Sequence, residues 1–395
     1  IIIVSFFMVP KVKRWADAVK GLTTGDLFEA RFDRRTGTIA AVVIGLAWFT
    51  FVGGQIIAGA KLVQVTMGVD LTLAVIASGA IVLAYTAMGG LKAVIFTDVF
   101  QMVVLMVGIV FIAVPIGLIE VGGWEGIVAH FESDPETASM VEWGAAGWGT
   151  IAEWFFAVFP VWFISIAGMQ RIIAARDEKT ARRSFLLTGV PIEWPLFAIG
   201  STLIGMIARM LLPEITDPEM ATPMIILELL PSGIAGIVIA AYVAAVMSSA
   251  DSMLMGPVVI FVNDIYRKRL NPEASDRELV RVARIAVIVF GILAIGLAYR
   301  VPNVLELILY AYTFGAAGLF FPMLGLLFWQ RTTAKGAYWS MLCGGGSAVI
   351  WSLAGEPFGL ASSYMGWIIG LPVMVIVSLL TEHSPDENRM LFYSE

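Results

Sequence analysis

Ten runs of apolar residues fill most of this chain, over 37–67, 69–88, 91–119, 150–171, 183–211, 232–264, 281–299, 302–329, 336–355 and 362–380. A helix rises about 1.5 Å per residue, so roughly 20 apolar residues cross about 30 Å of hydrocarbon, and each run approaches or exceeds that length. Away from water every backbone amide and carbonyl needs a partner within the protein, which leaves helices or a closed barrel. Continuous runs of this length are helices. With 59% of its 395 residues hydrophobic, 14% charged and a mean hydropathy of +0.87, the chain is far too apolar for a soluble domain. It reads as an all-α polytopic membrane protein: one transmembrane domain over 1–381 and a short polar tail over 382–395. The opening Ile1–Val9 is too short to span and lacks the basic start of a signal peptide. It reads as the last part of a membrane helix that begins before Ile1.

Loop charge orients the spans. Lys and Arg collect in 10–36, at Lys92, in 171–183, in 266–284 and at Arg331 and Lys335, whereas the alternate loops 120–149 and 212–231 are acidic. The positive-inside rule places the basic set in the cytoplasm, and every span then alternates without conflict. The C-terminal tail falls inside, in a plasma (inner) membrane protein. The acidic loop 120–149 and the short segment Pro223–Pro231 are expected to carry external helices. A single cysteine, Cys343, gives no disulfide framework, and two histidines, His130 and His383, argue against a histidine metal site. The net charge of -6 argues against nucleic acid as a partner.

Two segments carry chemistry. In Tyr85–Gln101 a glycine pair, Gly89-Gly90, is expected to break one apolar helix, and Asp98 then lies about 9 Å into the next. A carboxylate there costs up to about 3 kcal/mol and reads as a functional site, a cation position; the bland alternative is a helix-start carboxylate favoured by the dipole. On the span 232–264, Ala245, Ser248, Ser249 and Ser252 share an arc of about 100°, with Asp251 at its edge. Sodium is a hard cation that needs several oxygens at once, and hydroxyls, a carbonyl and a carboxylate supply them. Ala240, Ala244, Ser248, Ser252 and Gly256 also form a small-residue ridge that would serve close packing alone. Packing needs no carboxylate, so Asp251 favours ion binding.

Both segments resemble signatures of the sodium:solute symporter family, Gly89–Gln101 and Ala245–Ser252 above all. Met169–Arg176 looks like the family's cytoplasmic helix end, and Arg331 followed by Gly336-Ala337 is similar to its second signature. The likeness covers essentially all of 1–381. It implies a LeuT-like inverted-repeat bundle of five plus five helices, with the first core helix lying before Ile1 and the solute held at mid-membrane. By resemblance, the Ala245 carbonyl with the Ser248 and Ser249 hydroxyls forms half of the main sodium site. Asp98, Asp251 and Ser252 fall where some members bind a second sodium, although the Asp251 position usually holds a smaller polar residue. Trp162 matches a cavity-lining aromatic, while Ser165 and Ile166 stand where sugar transporters carry an amide or acid pair, which argues against a sugar.

Glu193, between Pro191 and Pro195 near mid-bilayer, meets a solute amine or a proton, or hydrogen-bonds backbone freed by the prolines. Gln55, Tyr310 and Tyr312 are further lining or gate candidates, and Lys61 is expected to snorkel to the outer surface. The expected function is sodium-coupled symport of a small organic solute (a carboxylate, amino acid or vitamin) by alternating access, with sodium as coupling ion, no other cofactor and no enzyme chemistry. The alternatives are a transporter-like solute sensor and a proton-coupled symporter of the same fold.

Overall fold

The computed structural model describes residues 1–19, 23–142, 144–383 and 392–393; the side chains of 85 and 88–98 lie outside the described set. Helices account for nearly all of it. A π-helical turn, Val4–Met8, leads into α1 (Val9–Val19), followed by α2 (Thr24–Arg31), α3 (Arg34–Met67) and α4 (Leu71–Leu105). A π-helical stretch, Met106–Ala113, continues into α5 (Val114–Glu120), and α6 (Gly123–Glu132) lies in the acidic loop. Next come α7 (Trp148–Val158), α8 (Val161–Ile164), α9 (Ile166–Ala174), α10 (Glu178–Leu187) and α11 (Ile199–Leu211), then the short loop helix α12 (Ala221–Leu229). The chain ends with α13 (Ser232–Ile260), α14 (Asp276–Arg300), α15 (Val304–Phe328), α16 (Ala334–Leu353) and α17 (Ser362–Leu380).

Helix starts follow side-chain chemistry. The Thr23 hydroxyl accepts from the Asp26 amide while Asp26 accepts from the Thr23 amide, a capping box that fixes the start of α2. Asp33, Asp70, Ser275, Asn303 and Thr333 cap α3, α4, α14, α15 and α16 in the same sense. Gly68, at φ 66°, closes α3 in the left-handed region.

Among the described residues, eight helical stretches are long and apolar enough to cross a membrane. Two more of the expected runs are a shorter apolar helix over Leu71–Ala84 and the 20-residue α16. Four runs differ in form from expectation. Helical bonding continues through Gly89-Gly90 within α4 instead of breaking there. A glycine costs a helix only about 1 kcal/mol relative to alanine, less than backbone groups left unpaired away from water. The run 150–171 is three pieces, α7, α8 and α9, interrupted at Pro160 and Ser165. The run 183–211 widens into a π-helix over Thr188–Ala198, around Pro191 and Pro195.

The largest core joins α1, α2, α3, α8, α9, α15 and α16 through Trp15, Phe28, Trp48, Phe163, Met323 and Met341. The last three helices press on one another through glycine. A Cβ at Gly344 would lie 2.6 Å from the Ala317 carbonyl oxygen, and one at Gly366 would lie 2.4 Å from the Ala317 Cβ. Small residues here let backbones meet closely, as in membrane helix packing generally.

Candidate ion and solute site

Along α13, Ala245, Ser249, Ser252 and Gly256 follow at spacings of four, three and four, so they share an arc of about 60°. Ser248 lies about 40° beyond one edge, and its hydroxyl donates to the Ala245 carbonyl at 3.1 Å. Two oxygens of the expected set are therefore already adjacent. Ala245, Ser248, Ser249 and Ser252 are half-buried, and Gly256 is buried. A Cβ at Gly256 would sit 2.8 Å from the Ile166 Cδ1, so the serine face runs directly away from the start of α9. Asp251 is completely buried, and at about 100° per residue it lies about 60° past Ser248 at the edge of the serine arc. Asp98 falls within α4, and its side chain lies outside the described residues.

The break between α8 and α9 organises everything around it. Pro160 ends the intrahelical ladder of α7, and α8 is a single turn closed by the Phe163 amide donating to the Pro160 carbonyl at 3.0 Å. Ser165 is extended (φ -60°, ψ 119°) and restarts the helix, its hydroxyl accepting from the Gly168 amide at 3.1 Å. Such a break leaves the carbonyls ending one segment and the amides beginning the next without intrahelical partners. Transporters use discontinuous helices of this kind to meet ions and charged solutes.

On the far side of the break, Ile164 reaches α3 and α15: a Cβ at Gly315 would lie 3.0 Å from Ile164 Cδ1 and 3.3 Å from the Ala47 Cβ. One turn away stands an aromatic trio. Trp48 and Phe51 pack at 5.4 Å between ring centroids, Trp48 meets Tyr312 edge-on at 6.4 Å, and Phe51 stacks on Tyr312 at 6.0 Å. Ser165 thus links the trio on one side to the serine face on the other. Trp48 and Phe51 are invisible to sequence reasoning because aromatics at helical spacing look like ordinary core. The break had a signal, Pro160 followed by Gly168, that the unbroken apolar run hid.

The remaining candidates scatter. Trp162 packs half-buried against the main core, and Gln55 is buried on α3 one turn beyond Phe51. Glu193 sits in the π-helical stretch, one carboxylate oxygen buried and without a hydrogen-bond partner among the described residues. Tyr310 is exposed, its hydroxyl donating to Glu306 at 2.7 Å. A small cleft opens beside the α9–α13 contact, lined by Thr23, Thr24, Gln170 and Gly256.

Each end of the bundle carries a lysine that gathers carboxylates. Lys61 does not reach solvent as expected; it is 4% exposed and pairs with Asp217 at 2.8 Å and with Glu219. Glu219 also accepts from the Val304 and Leu305 amides at 3.1 and 3.0 Å, which ties the start of α15 to α3. At the other end Lys268 pairs with Asp26, Glu29 and Asp264 at 2.6, 2.9 and 3.2 Å, and the Thr23 hydroxyl donates to Asp264 at 3.1 Å. That cluster anchors α2 to the chain leaving α13.

A sequence profile described as "SSF: Sodium:solute symporter family" matches residues 1–344. The chain belongs to the sodium:solute symporter family. Among its relatives, the high-affinity proline transporter PutP of Bacillus subtilis is 30% identical over 95% of this chain and 80% of its own length. The sodium/pantothenate symporter of Haemophilus influenzae is 29% identical over 93% and 77%. The osmoregulated proline transporter OpuE of Bacillus subtilis is 27% identical over 98% and 80%. In three dimensions the symporter resembles a Na+-coupled sialic acid symporter in its substrate-bound outward-open state, with TM-score 0.73 at 23% identity over 97% of this chain and 81% of that one. It also resembles Mhp1 facing inward, with TM-score 0.50 at 15% identity over 98% and 89%. The shared architecture is the LeuT-like helical bundle. The protein is accordingly a multi-pass membrane transporter, not an enzyme, that couples a small solute to sodium.

Proposed function

We propose that the serine face of α13 and the break at Ser165 form one coupled site, sodium on the first and solute on the second. Ala245, Ser248, Ser249 and Ser252 offer the cation its oxygens, with Asp98 and Asp251 as candidates for a second sodium position. The solute lies against Ser165 and Trp162, closed outward by the Trp48–Phe51–Tyr312 trio, with Gln55, Tyr310 and Glu193 at the margins. The observation that supports this reading is the packing of Ile166, next to the break, on Gly256, which shares the arc of the serines on α13. Ser165 and Ile166 lack the paired amide or acid that suits a sugar, and proline and pantothenate carriers among the relatives fit a solute bearing a carboxylate. We read the solute as a carboxylate, amino acid or vitamin, carried inward across the plasma (inner) membrane, with the C-terminal tail in the cytoplasm.

The driving force suffices. One charge moved inward at about 100 mV gains about 2.3 kcal/mol, and a tenfold sodium gradient adds about 1.4 kcal/mol. Together they support accumulation of several hundredfold. Uptake by the full-length protein in vesicles tests the reading, with sodium replaced by choline or potassium and a panel of carboxylates, amino acids and vitamins offered. Loss of uptake without sodium is expected. Undiminished uptake overturns sodium coupling and points to protons through Glu193 and Asp251.

A further inference from the structure

Phe392 and Tyr393 return from the tail to the body of the protein. Phe392 is 4% exposed and belongs to the main core beside Met323, Leu326 and Leu327. The Tyr393 hydroxyl donates to the Leu326 carbonyl at 2.8 Å and the Gly325 carbonyl at 3.2 Å. The Gly325 carbonyl already accepts from the Trp329 amide, so what the hydroxyl adds to the end of α15 is a partner for the Leu326 carbonyl. Lys11 on α1 completes the junction. Its ammonium donates to the Leu327 carbonyl at 2.8 Å and the Phe392 carbonyl at 3.4 Å, and stands 5.3 Å from the Phe328 ring centre and 5.0 Å from that of Tyr393. The buried Arg31 guanidinium of α2 lies 5.6 Å from the same tyrosine ring.

Two aromatic side chains thus join α1 and α2, near the start of the chain, to the end of α15. We infer that Phe392-Tyr393 is a built-in strap that restrains α1 against α15 on the face holding the Lys268 cluster, and so limits opening of that end. The inference rests on transport by alternating access, in which one group of helices rocks against another. A contact bridging two such groups stabilises the closed arrangement by whatever it loses on opening. The contacts described for Phe392 and Tyr393 are with α1, α2 and the end of α15, so solute and sodium recognition are not expected to depend on them.

The test uses the full-length protein with Cys343→Ser and Thr24→Cys, which places a single thiol in the cleft beside α9 and α13. Phe392→Ala/Tyr393→Ala is expected to speed labelling of that thiol by a small membrane-permeant maleimide about fivefold, the low end of a typical coupling between sites. It is also expected to raise the maximal rate of sodium-driven uptake while leaving the half-saturating sodium concentration unchanged. Tyr393→Phe, which keeps the ring and drops the hydroxyl, is expected to fall between. Equal labelling in all three proteins overturns the strap. So does a drop in thermal stability with no gain in labelling, which makes the tail a structural prop. Labelling needs no solute, so a parent that fails to take up any solute sinks the transport reading and leaves this test standing.

Discussion

The lysine clusters at the two ends of the bundle look alike in composition and differ in setting. Lys61 is 5% exposed at the side chain and pairs with two carboxylates, one of which also holds two backbone amides of α15. Lys268 is 31% exposed and pairs with three carboxylates, one of which, Asp264, also accepts from the Thr23 hydroxyl. Burial decides what each is worth. A desolvated pair is dear to break, because removing one partner strands the other, whereas a charge in contact with water is screened and loses little. Lys61 is therefore a fixed joint between α3 and α15, which bears Tyr310 and Tyr312. Lys268 is a softer joint at the end of α13, which bears the serines.

The contrast is open to measurement. Lys61→Met should have the largest effect, about 3 kcal/mol of lost stability, seen as a fall in melting temperature nearly independent of salt. A loss that vanishes in molar salt would make the two joints equivalent. Next, Ser249→Ala should raise the half-saturating sodium concentration about tenfold, or about 1.4 kcal/mol, while the exposed Ser201→Ala leaves it alone. Equal effects of the two would remove the ion from α13. Lys268→Met should cost about 1 kcal/mol at low ionic strength, shrinking as salt rises from tens of millimolar to about 1 M. Any increase it causes in the sodium requirement should be smaller than that of Ser249→Ala, since it shifts the serine helix without removing a ligand. Smallest of all, Tyr310→Phe loses one exposed hydrogen bond to Glu306 and should alter stability by no more than about 0.5 kcal/mol.

What sequence could reveal divides along the same line of local against distant causes. The spans were legible because apolar length is a local property, and the serine face because about 100° per residue fixes it without tertiary knowledge. The loop helix within 212–231 was legible as well, with Pro223 in its first turn and Pro231 just past its end. Lys61 was misjudged because the carboxylates that bury it come from 156 and 158 residues further on. A lysine near a membrane edge ordinarily finds water instead. Ser165 was named as a lining residue, but not as the place where the helix stops, since a serine is compatible with helix and extended backbone alike. Gly89-Gly90 suggested a break that the hydrogen-bonded ladder does not make.

The glycine seam joining α15, α16 and α17 leaves no slack between their backbones. Gly344 and Gly366 cannot accept even a methyl group without displacing Ala317, so sliding one of these helices past another would drive atoms into overlap. The three must travel as a single wedge, and Tyr312, riding on it, can swing only when the whole wedge does. Paired spin probes on α15 and α17 would then keep one separation throughout the transport cycle.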